Sequence, residues 1–339
     1  MSQPSSARRL LLPLVPLYRL ALAFRELRLL VEPARQLRFP VVSIGNLSTG
    51  GAGKTPLAIA LAQELSARGL RVDVLSRGYG RQSKLAARVL SGGSTEEFGD
   101  EPLLIARETG VPVYVALRRY DAGALAETEA LAGGGQGVHL LDDGFQHRQL
   151  ARDVNILLLN QRDWQDWLLP AGNLREPLKA ILRADVLAIP ANEPELESAL
   201  HKWGWTGPVW LLHRAMEIPA VSGPVAAFCG IARPEQFFAG LEAAGLEVAL
   251  KLAFPDHFTY TRRVLEELIA DAREKKVTAI ITTEKDLVRL GNLASIFPQS
   301  MPLATARLRI KIENQAEAID WLVDRVRQSS TAEEFPTRL

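Results

Sequence analysis

The chain is poor in the residues that would point to a disulfide scaffold, a thiolate metal site or a membrane span. Its 339 residues include one cysteine, Cys229. An intrachain disulfide and a multi-cysteine metal centre are therefore excluded, and Cys229 reads as a small buried hydrophobe after a strand. Charge of one sign is lacking too. Forty Lys and Arg face 39 Asp and Glu, leaving +1, so no global field draws the chain to nucleic acid and no such partner is expected. Aromatics make up 6%. No apolar run is long enough between charges to span a bilayer, and internal repeats and low-complexity tracts are missing. What remains is 47% apolar and 23% charged residues, the balance of a folded chain with room for two α/β units.

The first 38 residues are of a different kind. Residues 10–32 read LLLPLVPLYRLALAFRELRLLVE, with Pro13 and Pro16 interrupting the run. Arginines continue through the segment and no small-residue cleavage site follows it, so it is not a secretory leader. Leu20, Phe24, Leu27 and Val31 share one helical face, interleaved with Arg19, Arg25 and Arg28. Such a helix either lies in a lipid headgroup layer, arginines on phosphates and leucines in the acyl boundary, or packs on the protein's own core. Arginine density favours the membrane surface.

Beyond it, short β-branched runs alternate with helical segments: 39–44, a helix from about Lys54 to Arg68, 71–76, 111–116, a helix over 121–132, then 138–141, 154–159 and 186–189. This pattern predicts a mostly parallel sheet covered on both faces, a P-loop NTPase-like α/β unit over 39–221. A smaller α/β unit is expected over 222–328, with a strand at 225–228, helices at 234–244 and 261–276, a buried strand at 277–282, an edge strand at 303–312 and a closing helix at 315–327. A polar tail, 329–339, ends the chain.

Residues 45–55 read Gly-Asn-Leu-Ser-Thr-Gly-Gly-Ala-Gly-Lys-Thr between a predicted strand and a predicted helix. Glycines let consecutive N–H groups turn toward one anion, and the helix N-terminus adds positive potential. Ser48, Thr49, Gly50, Gly51, Ala52, Gly53, Lys54 and Thr55 are thus candidates to hold ATP. Lys54 would reach the β- and γ-phosphates, and the Thr55 hydroxyl Mg²⁺. Ser48 stands where the strict pattern has glycine, with Gly50 and Gly51 giving the freedom instead. Asp142 and Asp143 end a hydrophobic strand, where the second acidic element of such a site belongs. One of them is expected at the metal and the other nearby. Asp100, in the polar stretch 77–101, and Asp256-His257, in the second unit, are candidates for a base: a carboxylate hydrogen-bonded to an imidazole can share the acceptor's proton.

Together these strings resemble the tetraacyldisaccharide 4′-kinases of lipid A biosynthesis. The resemblance is carried by Gly45 through Pro56, Ser76-Arg77-Gly78-Tyr79-Gly80 and Gly99-Asp100-Glu101-Pro102. It continues through Asp142-Asp143-Gly144-Phe145-Gln146-His147, Leu174-Arg175-Glu176-Pro177, Phe254-Pro255-Asp256-His257 and Thr282-Thr283-Glu284-Lys285-Asp286. It implies phosphorylation of the 4′-hydroxyl of a tetraacylated glucosamine disaccharide 1-phosphate at the cytoplasmic face of a Gram-negative inner membrane. It further implies Asp100 as base paired with His257, Lys54 and Thr55 on the γ-phosphate and metal, and Gln146, His147, Arg175 and Glu176 as active-site residues. Two other readings remain at this level. One is a membrane-associated partitioning-type ATPase switch, against which Thr49 stands in place of the signature lysine. The other is a soluble small-metabolite kinase with a merely structural first helix.

Overall fold

The computed structural model describes residues 8, 10–50, 53–131 and 137–332. Twelve strands form one sheet in the order β10-β9-β11-β12-β8-β7-β6-β1-β5-β2-β4-β3. The strands, in chain order, are β1 (Val41–Asn46), β2 (Arg71–Ser76), β3 (Ala87–Arg88), β4 (Val113–Val115), β5 (Gly137–Asp142) and β6 (Val154–Leu158). They continue with β7 (Val186–Pro190), β8 (Val209–Glu217), β9 (Val225–Cys229), β10 (Val248–Ala253), β11 (Ala279–Thr283) and β12 (Leu303–Ile312). Pairing is parallel except at β3–β4 and β8–β12. β1 is buried along its whole length, as a strand covered on both faces must be. It lies between β5 and β6, where the chain reverses its direction of travel across the sheet. The crevice beyond the carboxyl end of such a strand is the default ligand site of an open α/β sheet.

Helices cover both faces. The argument below needs α1 (Val15–Val31), α2 (Lys54–Ala67), α3 (Asp100–Thr109), α4 (Arg119–Leu131), α5 (Glu284–Leu290) and α6 (Gln315–Ala332). One large core joins Leu57, Leu61 and Leu65 of α2 with Leu103 of α3 and Val42, Val74 and Leu140 of the sheet. Two separate clusters flank the β9–β11 region, around Phe228, Leu265 and Ile280 and around Phe237, Leu241 and Ile281.

Two expectations change. The strand 303–312 is not an edge. β12 pairs in parallel with β11 on one side and antiparallel with β8 on the other, so it welds the two parallel runs into one sheet. The closing helix α6 returns to the first core, where Ile319, Leu322 and Val326 join Leu61 and Leu65 and Arg68 meets Asp320 at 3.4 Å. The stretch 77–101 is not all loop either. It contains β3 and a helical turn, and Asp100 opens helix α3. Gly99 makes that start possible: at φ +85° a side chain would be strained, and a Cβ would lie 2.9 Å from the Tyr79 carbonyl.

Close packing also ties β1 to the turn after β5. A Cβ at Gly45 would lie 2.5 Å from the Phe145 Cβ and 2.8 Å from its backbone nitrogen. Only glycine permits that approach.

The helix α1, preceded by a 3₁₀ turn at Leu12–Leu14, buries only Val15 fully. Leu17, Leu20, Phe24, Leu27 and Val31 are between 53% and 82% exposed, so its outer apolar face is not packed on the protein's own core. No helix among the described residues is long and apolar enough to cross a membrane.

Leu322→Ala removes a fully buried side chain where α6 meets α2. The expected cost is about 2–5 kcal/mol, read as a lowered midpoint in denaturant unfolding.

Candidate active site

The loop between β1 and α2 begins the site. Gly50 (φ +99°) and Gly53 (φ +94°) hold left-handed conformations on either side of Gly51 and Ala52, which lie outside the described residues. The loop's first half is strapped down by the segment 173–175. Thr49 N–H donates to the Asn173 carbonyl at 2.8 Å and Arg175 N–H to the Leu47 carbonyl at 2.7 Å, while Ser48 bridges antiparallel to Leu174. Lys54 opens α2 and points back over the loop. Its ammonium donates to Asn46 Oδ1 at 3.0 Å and lies 3.3 Å from Asp143 Oδ1. Thr55 is buried in the first turn.

The acidic pair splits into two roles because the backbone breaks between them. Asp143 has φ +49°, uncommon for a residue with a Cβ, and this turns its side chain away from that of Asp142. Asp143 meets Lys54 and Arg175, the latter at 3.1 Å. Burial acts to raise its carboxyl, and the Lys54 and Arg175 charges overcome this and hold it below the ordinary range. Asp142 is buried, and its Oδ1 has no hydrogen-bond partner among the described residues. Burial, with Glu101 and Asp143 nearby, pushes it up to about 7.

Beside Asp143 a cavity of about 190 Å³ is lined by Arg77, Arg119, Asp143, Gln146, His147 and Arg175. Gln146 donates to the Asn46 carbonyl at 2.8 Å and faces Arg175 at 3.4 Å. Arg119 is buried and its Nε has no hydrogen-bond partner among the described residues; with Arg77 and Arg175 against Asp143, the cavity presents more positive than negative charge and suits an anion. His147 is neutral there: burial, then Arg119, Arg152 and Arg77, lowers it to about 4. Glu176 is not brought into this cavity. It pairs with Arg25 of α1 at 2.7 Å and with Arg183. Tyr18 donates to the Arg175 carbonyl at 2.8 Å and Arg8 to Asn173 Oδ1 at 2.7 Å. The strap that holds the nucleotide loop therefore also holds α1.

Asp100 and His257 do meet. Helix α5 packs against α3, and His257 Nδ1 sits 3.0 Å from Asp100 Oδ2. Lys285 of α5 reaches Glu101 of α3 at 2.6 Å. His257 itself has φ +59°, an unfavourable left-handed conformation for its residue type, and its ring tilts against Tyr79 at 5.6 Å between centroids. Burial acts to raise the Asp100 carboxyl, and the His257 hydrogen bond and the Arg289 charge override it, holding it far below the ordinary range. The same hydrogen bond raises His257. Arg77, Arg119 and Arg289 were not singled out from the sequence. Arg77 and Glu101 stood inside matched strings, and Arg289 follows Asp286 at the i,i+3 spacing of one helix face. Arg119 carried no signal of its own.

A glycine-bearing loop with its lysine, two acids at the end of a neighbouring strand and a carboxylate–imidazole pair across the cleft define a P-loop phosphotransferase. A profile of the family described as tetraacyldisaccharide-1-P 4′-kinase matches residues 7–327. The chain belongs to that family. A tetraacyldisaccharide 4′-kinase of Koribacter versatilis is 40% identical over 300 residues, spanning 85% of this chain and 89% of that one. The Dechloromonas aromatica counterpart is 37% identical over 90% and 91% of the two chains. In three dimensions the chain is similar to LpxK from Aquifex aeolicus, solved in complex with ATP, with a TM-score of 0.73 and 35% identity over 94% of this chain and 99% of that one. Membership makes the chain an ATP-dependent kinase of lipid A biosynthesis with an alcohol acceptor, and decides against the switch and small-metabolite readings.

The lowered His147 gives a pH prediction. The unfolded histidine titrates at its ordinary value of 6.5 and the folded one at about 4. The unfolded chain therefore binds the extra proton between these values, and stability falls as pH drops from 6.5 toward 4. His147→Gln is expected to flatten that part of the stability–pH curve, measured by denaturant unfolding at stepped pH.

Proposed function

We propose that this chain transfers the γ-phosphate of ATP to the 4′-hydroxyl of a tetraacylated glucosamine disaccharide 1-phosphate, with His257 as base and Asp100 as the group that orients it. The single observation that carries the reading is the Asp100–His257 contact, made between helix α3 and the loop after β10. This reverses the emphasis of the sequence, in which Asp100 stood as the base. Asp100 is buried and receives donors from both His257 and Arg289, so it holds no proton near neutral pH. The His257 ring is 40% exposed at its side chain, and Nε2 remains as the acceptor. In the reaction the 4′-oxygen forms its bond to the γ-phosphorus, the bond to the ADP oxygen breaks, and the hydroxyl proton passes to Nε2.

Lys54 supports the transferred charge and must exchange Asp143 for phosphate oxygens to do so. The cationic cavity of Arg77, Arg119 and Arg175 suits the phosphate that the acceptor carries. Mg²⁺ fits the residues present. Asp142 Oδ1 is buried with no hydrogen-bond partner among the described residues, and Thr55 is buried in the first turn of α2. Magnesium is characteristically held by one or two carboxylates with substrate phosphates supplying the rest. Asp142 and Thr55 would hold it, with Asp143 engaged by Lys54 and Arg175. When bound it neutralises charge on the β- and γ-phosphates.

The exposed face of α1 suits a peripheral position on the cytoplasmic face of the inner membrane. A tetraacylated acceptor stays in the bilayer, and Leu20, Phe24 and Leu27 are free of the core to enter the acyl boundary. Exposed Arg19 and Arg28 flank them for lipid phosphates.

His257→Ala is expected to lower kcat about 10²–10⁴-fold with ATP affinity retained, assayed with labelled ATP and the lipid acceptor. Unchanged turnover would remove the base. Leu20→Ser combined with Phe24→Ser and Leu27→Ser should shift the protein from pellet to supernatant in co-sedimentation with anionic vesicles. An unchanged pellet fraction would refute the membrane face.

A further inference from the structure

We propose that Arg289 is a positioning residue for the base: it orients His257 through Asp100 and weakens the pull of the neighbouring carboxylates on the imidazole. The inference rests on the reading of His257 as base and extends it. Arg289 lies on α5 and is almost fully buried, with 6% of its side chain exposed. Its guanidinium has two working edges. Nε and Nη2 donate to the same Asp100 oxygen, Oδ2, at 2.9 and 2.5 Å. Nη1 donates to Asp286 Oδ1 at 3.1 Å and to the Gly230 carbonyl.

Asp286 is itself fully buried and held by others. It accepts from Tyr260 at 2.9 Å and from the Gly230 N–H at 3.1 Å, and its other oxygen takes the Thr283 hydroxyl at 2.6 Å. Arg289 is therefore fixed from behind by the core of the second unit and presents a rigid fork to Asp100. Gly230 also accepts from the His257 N–H at 3.3 Å. One guanidinium thus contacts both the base's carboxylate and the carbonyl that seats the base's backbone.

The tautomer follows from donor counting. Asp100 Oδ2 faces an arginine that never gives up its proton, so the carboxylate stays ionised and only accepts. His257 Nδ1 lies 3.0 Å from this oxygen and 3.3 Å from Arg289 Nη2; the nearer, ionised carboxylate favours the tautomer with hydrogen on Nδ1, which leaves the Nε2 lone pair for the incoming hydroxyl. The charge acts in the opposite direction to Asp100. Arg289 Nη2 lies 3.3 Å from His257 Nδ1, close enough to penalise the imidazolium. The other charged groups facing the ring are Asp100, which favours the cation, and Asp256, 4.0 Å from Nε2, which does the same. Across the α3–α5 contact Lys285 is matched by Glu101 and Asp286 by Arg289. Tyr79 packs on the ring. Arg289 is the cation beside the ring that opposes the two carboxylates, whose combined pull still raises His257.

The test is the pH dependence of kcat in Arg289→Met and Arg289→Lys, with His257→Ala as reference. For Arg289→Met the acid limb is expected to move up by about one pH unit, with the loss of turnover greatest below neutral pH. Arg289→Lys keeps the charge, so its limb should remain at the parent position while kcat falls less. Titration of the His257 ring by NMR, assigned through His257→Ala, gives the same shift without relying on turnover. A fall in kcat for Arg289→Met with limb and ring titration both unmoved would overturn the inference and leave only packing. Full turnover in His257→Ala would instead remove the base reading beneath it, and the two failures are distinguishable.

Discussion

The antiparallel pairing of β12 with β8 is the contact on which the site depends. Two runs of parallel strands, each able to close its own core, are joined there by six residue pairs from Arg307–Glu217 to Ile312–Leu212. The joint sets where the second unit lies, and so where α5 meets α3. Without that placement Asp100 would remain a first-turn acid on α3, packed on the first core, with no imidazole beside it. The joint is reinforced by charge. Arg309 of β12 reaches Glu108 at 2.9 Å, Glu217 at 3.1 Å and Glu284 at 3.5 Å, tying the start of α5 and the end of α3 to the same strand.

Around the nucleotide loop, charge is arranged by pairing rather than by excess. Lys54 faces Asp143, Arg175 shares that carboxylate, and Lys285 is matched by Glu101. Two buried groups are informative because they are incomplete: Asp142 Oδ1 and Arg119 Nε have no hydrogen-bond partner among the described residues. Burying a polar atom without a partner costs free energy, and these two sit where a cation and an anion would respectively relieve that cost.

Much of this was legible in the amino-acid order, and the limits have physical causes. The phosphate loop is visible because its parts are local: strand, glycines, lysine and helix start lie within a dozen residues, and the structure keeps them together. The meeting of Asp100 and His257 was readable only through likeness to a family, since composition and spacing do not encode which helices pack. The same holds for Arg289, whose carboxylate partner is 189 positions away. Strand 303–312 was misread because alternation reports which face is covered, not whether both edges are paired. Its mixed burial gives the pattern of an edge although hydrogen bonds are made on both sides. Glu176 came with Arg175 in the string 174–177 that carries the resemblance; neighbouring residues of an extended segment point apart, and here Arg175 faces Asp143 while Glu176 faces α1.

The contact between Gly45 and Phe145 bears on where movement is allowed. The floor of the phosphate loop and the Asp142–Asp143 turn approach backbone to backbone, without the slack that a side chain would provide. They must travel as one rigid piece, so the spacing between lysine, acids and nucleotide is preset rather than assembled on binding. The ends of β1 and β5 therefore hold a fixed gauge, independent of how Asp100 of α3 and His257 are brought together.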